Sequence, residues 1–296
     1  MFKIVFIIGI IILVYLFMIF AGRRDIRQSM TFTSWNYAHR GFHNTSAGIP
    51  ENSLPAMRLA VEHGYGIELD VQLTKDKRLV VFHDDMLSRV CGLDIRIQDK
   101  TYAELREFYL FDTLEKIPLL TEVLAVVDGK VPLLIEIKLT SADTSICHYL
   151  DQLLRGYHGA YCIESFNTLA LRWYKKNRPD VFRGQLSANL LGRQPGRSDF
   201  LLCLLTTNLM LNFLGRPNFI AYCYKDRYNL SYQFLKRVLG IPTFGWTFTD
   251  LAAYSKYQYA FDSAIFEDFD LHQIYPVANQ FYYSRRRELR TAKPLD

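Results

Sequence analysis

Cysteine is scarce in this chain and follows no metal-binding spacing. The five cysteines are odd in number, and no two of them form a Cys-x-x-Cys motif. This pattern argues against a framework of disulfides and against a structural zinc site. The cysteines instead match small buried apolar residues, and their use suits a reducing compartment.

Strong charge of one sign is absent as well. The 35 basic and 30 acidic residues leave a formal net charge of +5 over 296 residues. A nucleic-acid groove needs clustered basic side chains with interleaved aromatics, and no such stretch stands out. We therefore expect no nucleic-acid partner, whereas a mild positive excess suits anionic substrates or an anionic membrane surface.

Linkers rich in glycine, serine and proline are missing between residue 36 and about residue 270. The whole chain contains only 10 prolines, and 50% of its residues are hydrophobic. This composition predicts a folded chain with a large core and argues against long disordered regions. No fixed-period repeat is visible, so we expect one domain over residues 35–296.

One long uncharged apolar run lies at the N-terminus. Residues 4–21, IVFIIGIIILVYLFMIFA, nearly span a hydrocarbon core of about 30 Å at about 1.5 Å per residue. A signal peptide usually has a shorter apolar region, of about 7–15 residues, before small residues at a cleavage site. The length therefore predicts a retained single-pass transmembrane helix within residues 1–22, followed by a polar tether over residues 23–34.

The charges around this helix predict its orientation. Lys3 precedes the apolar run, whereas Arg23, Arg24 and Arg27 follow it. Cytoplasmic loops carry the excess of Lys and Arg beside membrane helices. We therefore expect the main domain to be anchored on the cytoplasmic side of the membrane.

Strand-like and helix-like stretches alternate through the rest of the chain. Helical patterns such as SLPAMRLAVEHG and NTLALRWYKKN separate most strand candidates. In VQLTKDKRLVVF the turn TKDK leaves no room for a helix, so residues 79–83 are the return arm of a hairpin. The other eight strands predict an α/β fold, a (β/α)8 TIM barrel with a small β-hairpin insertion. The strand candidates are residues 36–39, 66–73, 79–83, 133–138, 161–165, 182–187, 219–224, 243–248 and 264–267.

Residues 198–219, SDFLLCLLTTNLMLNFLGRPNF, form a second strongly apolar stretch. One interpretation is a core-facing barrel helix, because apolar helices of large domains are usually buried. The other is an interfacial element that enters lipid beside the anchor. The stretch lacks a lysine-rich polar face, which counts against the second interpretation.

Carboxylates end two apolar strand candidates. Glu68 and Asp70 of IELDV lie two residues apart, as do Glu136 and Lys138 of LLIEIKL, so each pair shares one face of its strand. Burying like charges together is costly unless a cation neutralises them. Three carboxylates from strand ends therefore predict a shared site for Ca²⁺ or Mg²⁺.

Two histidines and two cations occupy similar positions at strand ends. His39 and Arg40 belong to YAHRGFHN, and His83 belongs to VVFHDD. Imidazole takes up and releases protons near neutral pH, and cleavage of a phosphate ester needs both acts. Arg40 and Lys138 are suited to hold phosphate oxygens, the first through its planar fork and the second as a point charge.

The motifs AHRGFHN, IPENS, IELDVQLTKDKRLVVFHDD, LLIEIK, IESF and FGWTF follow one another between residues 36 and 270. In this order they resemble the glycerophosphodiester phosphodiesterase family, although Glu164 stands where a neutral residue is commoner. The resemblance implies a TIM barrel with its site at the C-terminal strand ends. The resemblance also implies two aromatic residues in the substrate pocket, for which packing inside the barrel is the alternative role. The implied site comprises the acid–base pair His39 and His83, the phosphate-binding Arg40 and Lys138, the pocket residues Phe166 and Trp246, and the metal ligands Glu68, Asp70 and Glu136, with Glu51 either a fourth ligand or a neighbour.

The resemblance predicts a membrane-anchored, metal-dependent phosphodiesterase that hydrolyses glycerophosphodiesters to an alcohol and sn-glycerol 3-phosphate by His/His acid–base catalysis. An alternative keeps the site but acts on lysophospholipids, as a lysophospholipase D, or on a glycerophosphate polymer, because the anchor brings the site near lipid. A third hypothesis is a catalytically silent lipid-binding scaffold. The intact motif positions argue against the third, since chemistry is read from the site and not from the fold.

Overall fold

A closed sheet forms the centre of the molecule, of which the computed structural model describes residues 2–22, 25–193 and 199–273. All strands except β3 run parallel to one another in the sheet. Since β1 pairs with both β2 and β9, these eight strands close into a barrel. The prediction of a (β/α)8 TIM barrel is confirmed. The strands are β1 (Tyr37–Ala38), β2 (Gly66–Leu73), β3 (Leu79–Val81), β4 (Leu133–Ile137), β5 (Tyr161–Ser165), β6 (Arg183–Ser187), β7 (Phe219–Cys223), β8 (Thr243–Phe248) and β9 (Ser263–Phe266).

Helices between the strands cover the outside of the barrel. Outward-facing side chains such as Leu69, Ile135 and Ile163 pack with the helices into one large buried apolar layer. Over the described ranges the helices are α1 (Phe2–Ile19), α2 (Ile26–Thr33), α3 (Leu54–Glu62), α4 (Ser88–Cys91), α5 (Tyr102–Leu105), α6 (Leu120–Val127), α7 (Ser145–Leu154), α8 (Thr168–Asn177), α9 (Phe200–Thr207), α10 (Asn212–Gly215), α11 (Leu230–Arg237) and α12 (Leu251–Tyr257).

The predicted hairpin is confirmed. β3 runs antiparallel to β2, with Val71 opposite Val81 and Leu73 opposite Leu79. Among the strands that the structure describes, β3 pairs only with residues 71–73 at the end of β2. It therefore adds a ninth strand to the sheet without being one of the eight parallel strands of the barrel. The chain after β3 then begins at the same barrel end where β2 stops.

A left-handed turn ends β1 and places its last side chains at the barrel rim. Arg40 and Gly41 have φ angles of +56° and +82°, which the extended strand does not allow. A Cβ atom at Gly41 would lie 2.9 Å from the Cβ of Ala56, so glycine is the residue that fits there. The strand therefore stops after Ala38, one residue earlier than predicted.

Side chains inside the barrel change from apolar to charged along its axis. Near the N-terminal strand ends, the rings of Phe182, Phe219 and Phe244 stack with centroids 5.1 and 4.6 Å apart. On β4, Leu134 points into the barrel and belongs to this apolar cluster. Glu136, two residues later on the same strand, also points into the barrel. The N-terminal end of the barrel is thus a packed core, while its C-terminal end is left to polar groups.

The predicted tether over residues 23–34 is corrected in part, because residues 26–33 form helix α2. Asp25 caps this helix by accepting hydrogen bonds from the backbone N–H groups of Arg27 and Gln28. Its Phe32 ring stacks on Phe182 at 5.4 Å, so α2 covers the N-terminal end of the barrel. Residues 23 and 24 lie outside the described residues, and the domain boundaries at 22, 34 and 296 stay predictions.

The N-terminal apolar helix is present as α1. It is long and apolar enough to cross a membrane by length and composition. Its last turn is fixed to the barrel: the Asn212 side chain donates to the backbone oxygen of Ile19 at 3.0 Å, and Arg216 donates to those of Phe17 and Phe20 at 3.2 and 2.8 Å. The side chains of residues 2–14 are exposed.

The apolar stretch 198–219 splits into two helices with different surroundings, and residue 198 lies outside the described residues. The short helix α10 packs against α8, and Gly215 lies close to Leu171 there, as expected of a barrel helix. The first turn of α9 instead exposes Phe200, Leu201 and Leu202. A core-facing helix is therefore the correct interpretation for α10 and the wrong one for the start of α9.

Replacing Gly184 with alanine tests the packing of the barrel interior. A Cβ atom there would lie 2.0 Å from the Phe219 ring, and overpacking of a core costs about 1–3 kcal/mol. We expect Gly184→Ala to lower the free energy of unfolding by about this amount, measured by thermal denaturation in detergent with circular dichroism. Gly156→Ala is the matched control, because its nearest neighbour, Leu153 O, is 3.9 Å away. Equal stability of the two variants would contradict this packing.

Candidate active site and metal centre

The C-terminal strand ends bring eight of the ten predicted site residues to one cavity, and the other two, Asp70 and Glu51, lie behind its wall in contact with Lys138 and Arg40. Parallel strands in register place the ends of β1, β2, β4, β5 and β8 side by side at the same barrel mouth. The cavity has a volume of about 250 Å³. A wider depression shares part of its wall and opens it to the surface. The cavity is lined by His39, Arg40, Glu68, His83, Glu136, Lys138, Glu164, Phe166, Leu186, Trp246, Thr247 and Ile265.

Three buried carboxylates form a cluster at this mouth. Glu68, Asp70 and Glu136 each offer an oxygen atom within 4.8 Å of those of the other two. Asp70 lies opposite Glu136 in the pairing of β2 with β4, so the strand register itself creates the cluster. Lys138 joins it, with Nζ 3.0 Å from Asp70 Oδ1 and 2.9 Å from Glu136 Oε2.

The protonation of these carboxylates reflects their crowding. Burial and the neighbouring carboxylates raise the pKa of Glu68 well above its usual range, and burial raises the pKa of Glu136 to about 7. Burial acts to raise the pKa of Asp70, but the charges of Lys138, His83, Arg40 and His39 together outweigh it and hold this pKa well below its usual range. The cluster thus has more carboxylates than its neighbouring cations neutralise. A divalent cation fits this all-oxygen donor set, because its charge would stabilise the ionised forms.

Glu51 differs from the three clustered carboxylates. Its Oε1 accepts from Arg40 at 2.8 Å and from Arg89 at 2.7 Å, and its Oε2 accepts from Arg89 at 3.0 Å. Arg40 also lies 3.5 Å from Asp70 through Nε. Of the two roles predicted for Glu51, this geometry favours the neighbour over the metal ligand, because both of its oxygens are engaged by guanidinium groups.

His39 is oriented by a carboxylate that sequence reasoning missed. Its Nδ1 lies 2.5 Å from Oε2 of Glu267, the residue after β9. Burial acts to raise the pKa of Glu267, but the hydrogen bond from His39 and the nearby His43 ring, 3.8 Å away, outweigh this and hold it well below its usual range. An ionised Glu267 only accepts hydrogen bonds, so His39 Nδ1–H donates and Nε2 is free to exchange protons. The strand-end rule that selected Glu136 also applies to Glu267.

His83 has the same arrangement at the opposite side of the cavity. Its Nδ1 lies 2.5 Å from Asp84 Oδ1, and Arg89 Nε donates to Asp84 Oδ2 at 2.6 Å. Burial opposes the ionisation of Asp84, but the hydrogen bonds of Arg89 and His83 lower its pKa. Burial also lowers the pKa of both His39 and His83. Near neutral pH both rings are therefore neutral and hold a free Nε2 for proton transfer.

Two aromatic side chains and a further carboxyl group complete the cavity wall. Phe166 and Trp246 meet edge to face with ring centroids 5.7 Å apart. The indole N–H of Trp246 and Oε2 of Glu164 are buried without a hydrogen-bond partner among the described residues. Burial raises the pKa of Glu164 well above its usual range. The wall thus combines an apolar corner with polar atoms that a bound molecule is able to satisfy.

Comparison with known protein families gives a match to the part of the chain that carries most of these residues. A family model described as the glycerophosphoryl diester phosphodiesterase family matches residues 39–182. The match begins at His39 and includes all three clustered carboxylates, both candidate phosphate-binding cations and His83.

Individual relatives agree with the family model. A glycerophosphodiester phosphodiesterase of Bacillus altitudinis is 42% identical over 113 residues, covering 36% of this chain and 45% of the relative. That of Caldanaerobacter subterraneus subsp. tengcongensis is 34% identical over 161 residues, covering 50% and 65%. The matched part of this chain thus spans less than two thirds of either relative. The crystal structure of the Thermotoga maritima glycerophosphodiester phosphodiesterase aligns with a TM-score of 0.58 at 29% identity, covering 78% of this chain and 92% of that one.

A thermal-shift measurement tests the metal centre. We expect Ca²⁺ or Mg²⁺ at a hundredfold excess over its dissociation constant to stabilise the chain by about 2.7 kcal/mol, which raises Tm by several degrees. Glu136→Gln removes one donor and is expected to abolish most of this rise. The matched control is Glu107→Gln, an exposed carboxylate outside the cluster. An equal rise in both variants would contradict a metal centre at these residues.

Proposed function

This chain belongs to the glycerophosphoryl diester phosphodiesterase family, as its motifs indicated, and we propose that it hydrolyses glycerophosphodiesters to an alcohol and sn-glycerol 3-phosphate. One observation carries this proposal: two neutral imidazoles, each oriented through Nδ1 by a carboxylate, face one cavity with a carboxylate cluster and two cations. A single proton acceptor would suit many reactions, but a pair suits a substitution that needs a base and an acid.

The phosphate group of the substrate binds to Arg40 and Lys138. Both cations line the cavity, and their positions are fixed by the buried carboxylates beside them. As the diester reacts, negative charge gathers on the non-bridging oxygens of the phosphate. Preorganised cations in a site shielded from water stabilise that charge without a reorganisation cost.

A divalent cation, Ca²⁺ or Mg²⁺, completes the site in this proposal. Glu68, Asp70 and Glu136 would hold it, with Glu51 keeping Arg40 in place beside them. When bound, the cation supplies Lewis-acid polarisation of a phosphate oxygen and further neutralisation of its charge. It also removes the need for the carboxylate cluster to bind protons, which the raised pKa values of Glu68 and Glu136 otherwise favour.

Proton transfer is assigned to the two histidines. One imidazole takes the proton of the attacking hydroxyl through its Nε2, and the other donates a proton to the oxygen of the departing alcohol. In substrates with a free glycerol hydroxyl, that hydroxyl attacks first and gives a cyclic phosphate, which water then opens. Glu267 and Asp84 stabilise the imidazolium that forms on His39 and His83, respectively, because each accepts the Nδ1–H bond.

We propose that α1 is a retained single-pass membrane anchor, with the barrel on the cytoplasmic side. Two features of its C-terminal end support retention. Ile19 and Ala21 are buried against the barrel, and Asn212 and Arg216 use their side chains to bind the α1 backbone. A cleaved signal peptide would leave both side chains without these partners.

A second candidate keeps the site and changes the substrate to a lysophospholipid. The exposed apolar first turn of α9 favours it, because such a surface belongs beside lipid rather than in water. The apolar corner of Phe166 and Trp246 is compatible with either substrate. A glycerophosphate polymer remains the other alternative for the departing group.

Hydrolysis by the full chain in detergent tests the proposed function. We expect release of choline from glycerophosphocholine with Ca²⁺ or Mg²⁺, and none with EDTA. His39→Ala and His83→Ala are each expected to lower kcat by about 10²–10⁴-fold, the usual contribution of a general acid or base. His148→Ala, on the outer helix α7, is the control. Full activity in EDTA would refute the metal, and normal turnover of a histidine variant would remove that residue from the mechanism.

Glu267→Gln tests the role of Glu267 in positioning His39. Glu267 raises the pKa of His39 against the effect of burial, so removing its charge lowers that pKa. We expect the limb of the pH profile of kcat/KM that reports His39 to move to lower pH, with kcat reduced by about 10²-fold or more. Asp268→Asn, the exposed next residue, is the control and is expected to change neither quantity. An unchanged profile for Glu267→Gln would show that Glu267 only neighbours His39.

A further inference from the structure

We propose that exposed apolar side chains at the catalytic end of the barrel dock onto the lipid bilayer that holds α1, so that the mouth of the cavity faces the membrane surface. This inference rests on the proposed role of α1 as an anchor. It goes further by assigning the docking surface and the side of the barrel that meets lipid. The docking residues, here called the crest, are Phe200, Leu201, Leu202, Tyr228 and Leu230.

The crest is unusually apolar for a surface in water. Phe200, Leu201 and Leu202 expose 53%, 63% and 58% of their surface, and Tyr228 and Leu230 expose 73% and 82%. Single exposed apolar residues are common on soluble proteins, but a contiguous group indicates an interaction site. Three successive residues of α9, together with Tyr228 and the first residue of α11, Leu230, make such a group.

Hydrogen bonds fix α9 at the catalytic end of the barrel. Ser187, the last residue of β6, donates through Oγ to the backbone oxygen of Thr206 at 2.8 Å. Tyr222 near the end of β7 donates through its hydroxyl to the backbone oxygen of Thr207 at 2.8 Å. The C-terminal turn of α9 therefore lies on the carboxyl ends of two strands, beside the cavity mouth.

The two parts of the crest are joined to each other. Tyr228 and Leu230 lie in the chain that follows β7, which emerges from the barrel at its catalytic end. Asn229 between them donates through Nδ2 to Oδ1 of Asn208 at 3.1 Å, and Asn208 directly follows α9. This bond attaches the segment that carries Tyr228 and Leu230 to α9, the helix whose first turn carries the other crest residues.

Contacts of α1 show in which direction this helix leaves the barrel. The backbone N–H of Gly22 donates to Pro217 O at 2.7 Å, just before β7 begins and hence at the N-terminal end of the barrel. The Tyr15 hydroxyl lies 2.5 Å from Oγ of Ser231, at the start of α11 and hence at the catalytic end. From Gly22 back to Tyr15 the chain therefore runs along the side of the barrel, from its N-terminal end to its catalytic end. Residues 2–14 continue for about 20 Å past the catalytic end, and a bilayer accommodates such a short hydrophobic helix by local thinning and by snorkelling of a flanking residue such as Lys3.

A helix that projects from the catalytic end places the membrane on that same side. The crest adjoins α1 through Ser231, the residue after Leu230, so a bilayer around residues 2–14 covers the crest as well. Basic and aromatic side chains next to the crest fit the headgroup region: Lys225 is exposed, and the Arg227 guanidinium lies 4.4 Å from the centroid of the Tyr228 ring. This continuity with α1 selects lipid as the partner, rather than a second copy of the chain.

Such docking has a consequence for substrate access. A glycerophosphodiester that carries an acyl chain, such as a lysophospholipid, would reach the cavity from the bilayer without fully entering water. A water-soluble diester would enter from the side and gain nothing from the crest. Disrupting the crest is therefore expected to separate the two substrate types.

Fluorescence quenching tests the docking directly. The full chain is reconstituted in vesicles of equal parts phosphatidylcholine and phosphatidylglycerol that contain brominated acyl chains. We expect the added tryptophan of Leu201→Trp to be quenched, relative to the parent chain. Val238→Trp is the matched control, because Val238 is 66% exposed but lies at the other end of α11, away from the crest. Equal quenching of both variants, or quenching of neither, would overturn the proposal. Crosslinking that shows Leu201→Trp in a contact between two copies of the chain, and not in lipid, would also overturn it.

Kinetics in the same vesicles separate docking from catalysis. The combined variant Phe200→Ser, Leu201→Ser and Leu202→Ser is expected to raise KM for lysophosphatidylcholine by about tenfold and to leave hydrolysis of glycerophosphocholine unchanged. Equal loss on both substrates would overturn a role of the crest in access. If Leu201→Trp is quenched but the parent chain hydrolyses neither substrate, the proposed function is refuted and docking stands. Hydrolysis without quenching would refute docking alone.

Discussion

The buried ion pairs of Lys138 with Asp70 and Glu136 are the interaction on which the site depends. They join neighbouring strands at the level where the barrel interior changes from apolar to charged. Losing the ammonium group would leave two crowded carboxylates without their main counter-charge, and breaking a buried pair from one side costs about 3–5 kcal/mol. The same ion pairs keep Asp70 ionised among groups that burial pushes towards protonation. The proposed cation site and the proposed phosphate site therefore share one arrangement of charge.

The barrel separates stability from chemistry along its axis. Phenylalanine rings and helix α2 fill and cover the N-terminal end, whereas the four buried carboxylates that point into the barrel, Glu68, Asp70, Glu136 and Glu164, lie towards its C-terminal end. Since parallel strands all point the same way, residues at their ends meet without any further device. A large apolar core elsewhere is what allows so many charged groups to be buried at one place, because hydrophobic burial is the main favourable contribution to folding.

Both candidate acid–base groups follow one design although their carboxylates come from different elements. Glu267 follows β9 and binds His39 after β1, while Asp84 directly follows His83. Arg89 links Asp84 to Glu51, and Glu51 links Arg89 to Arg40. One side of the mouth is thus a continuous hydrogen-bonded network from the imidazole of His83 to the guanidinium of Arg40, the proposed phosphate-binding group. The N-terminal chain runs along the barrel side and beneath its base before β1, and this path is what relates the mouth to the proposed membrane surface.

The sequence by itself determined the strands, the hairpin and most of the site, because strand periodicity and charged strand ends are local properties that need no knowledge of packing. Gly66–Leu73, Tyr161–Ser165 and Thr243–Phe248 were predicted to the residue. Tertiary structure alone decided the partner of His39, since Glu267 is 228 residues away and reaches it only when β1 pairs with β9. It also decided that both oxygens of Glu51 bind arginines, that residues 26–33 cover the barrel base, and that the start of α9 is exposed. Each of these outcomes depends on which surfaces barrel closure brings together, and residue type and spacing do not carry that information.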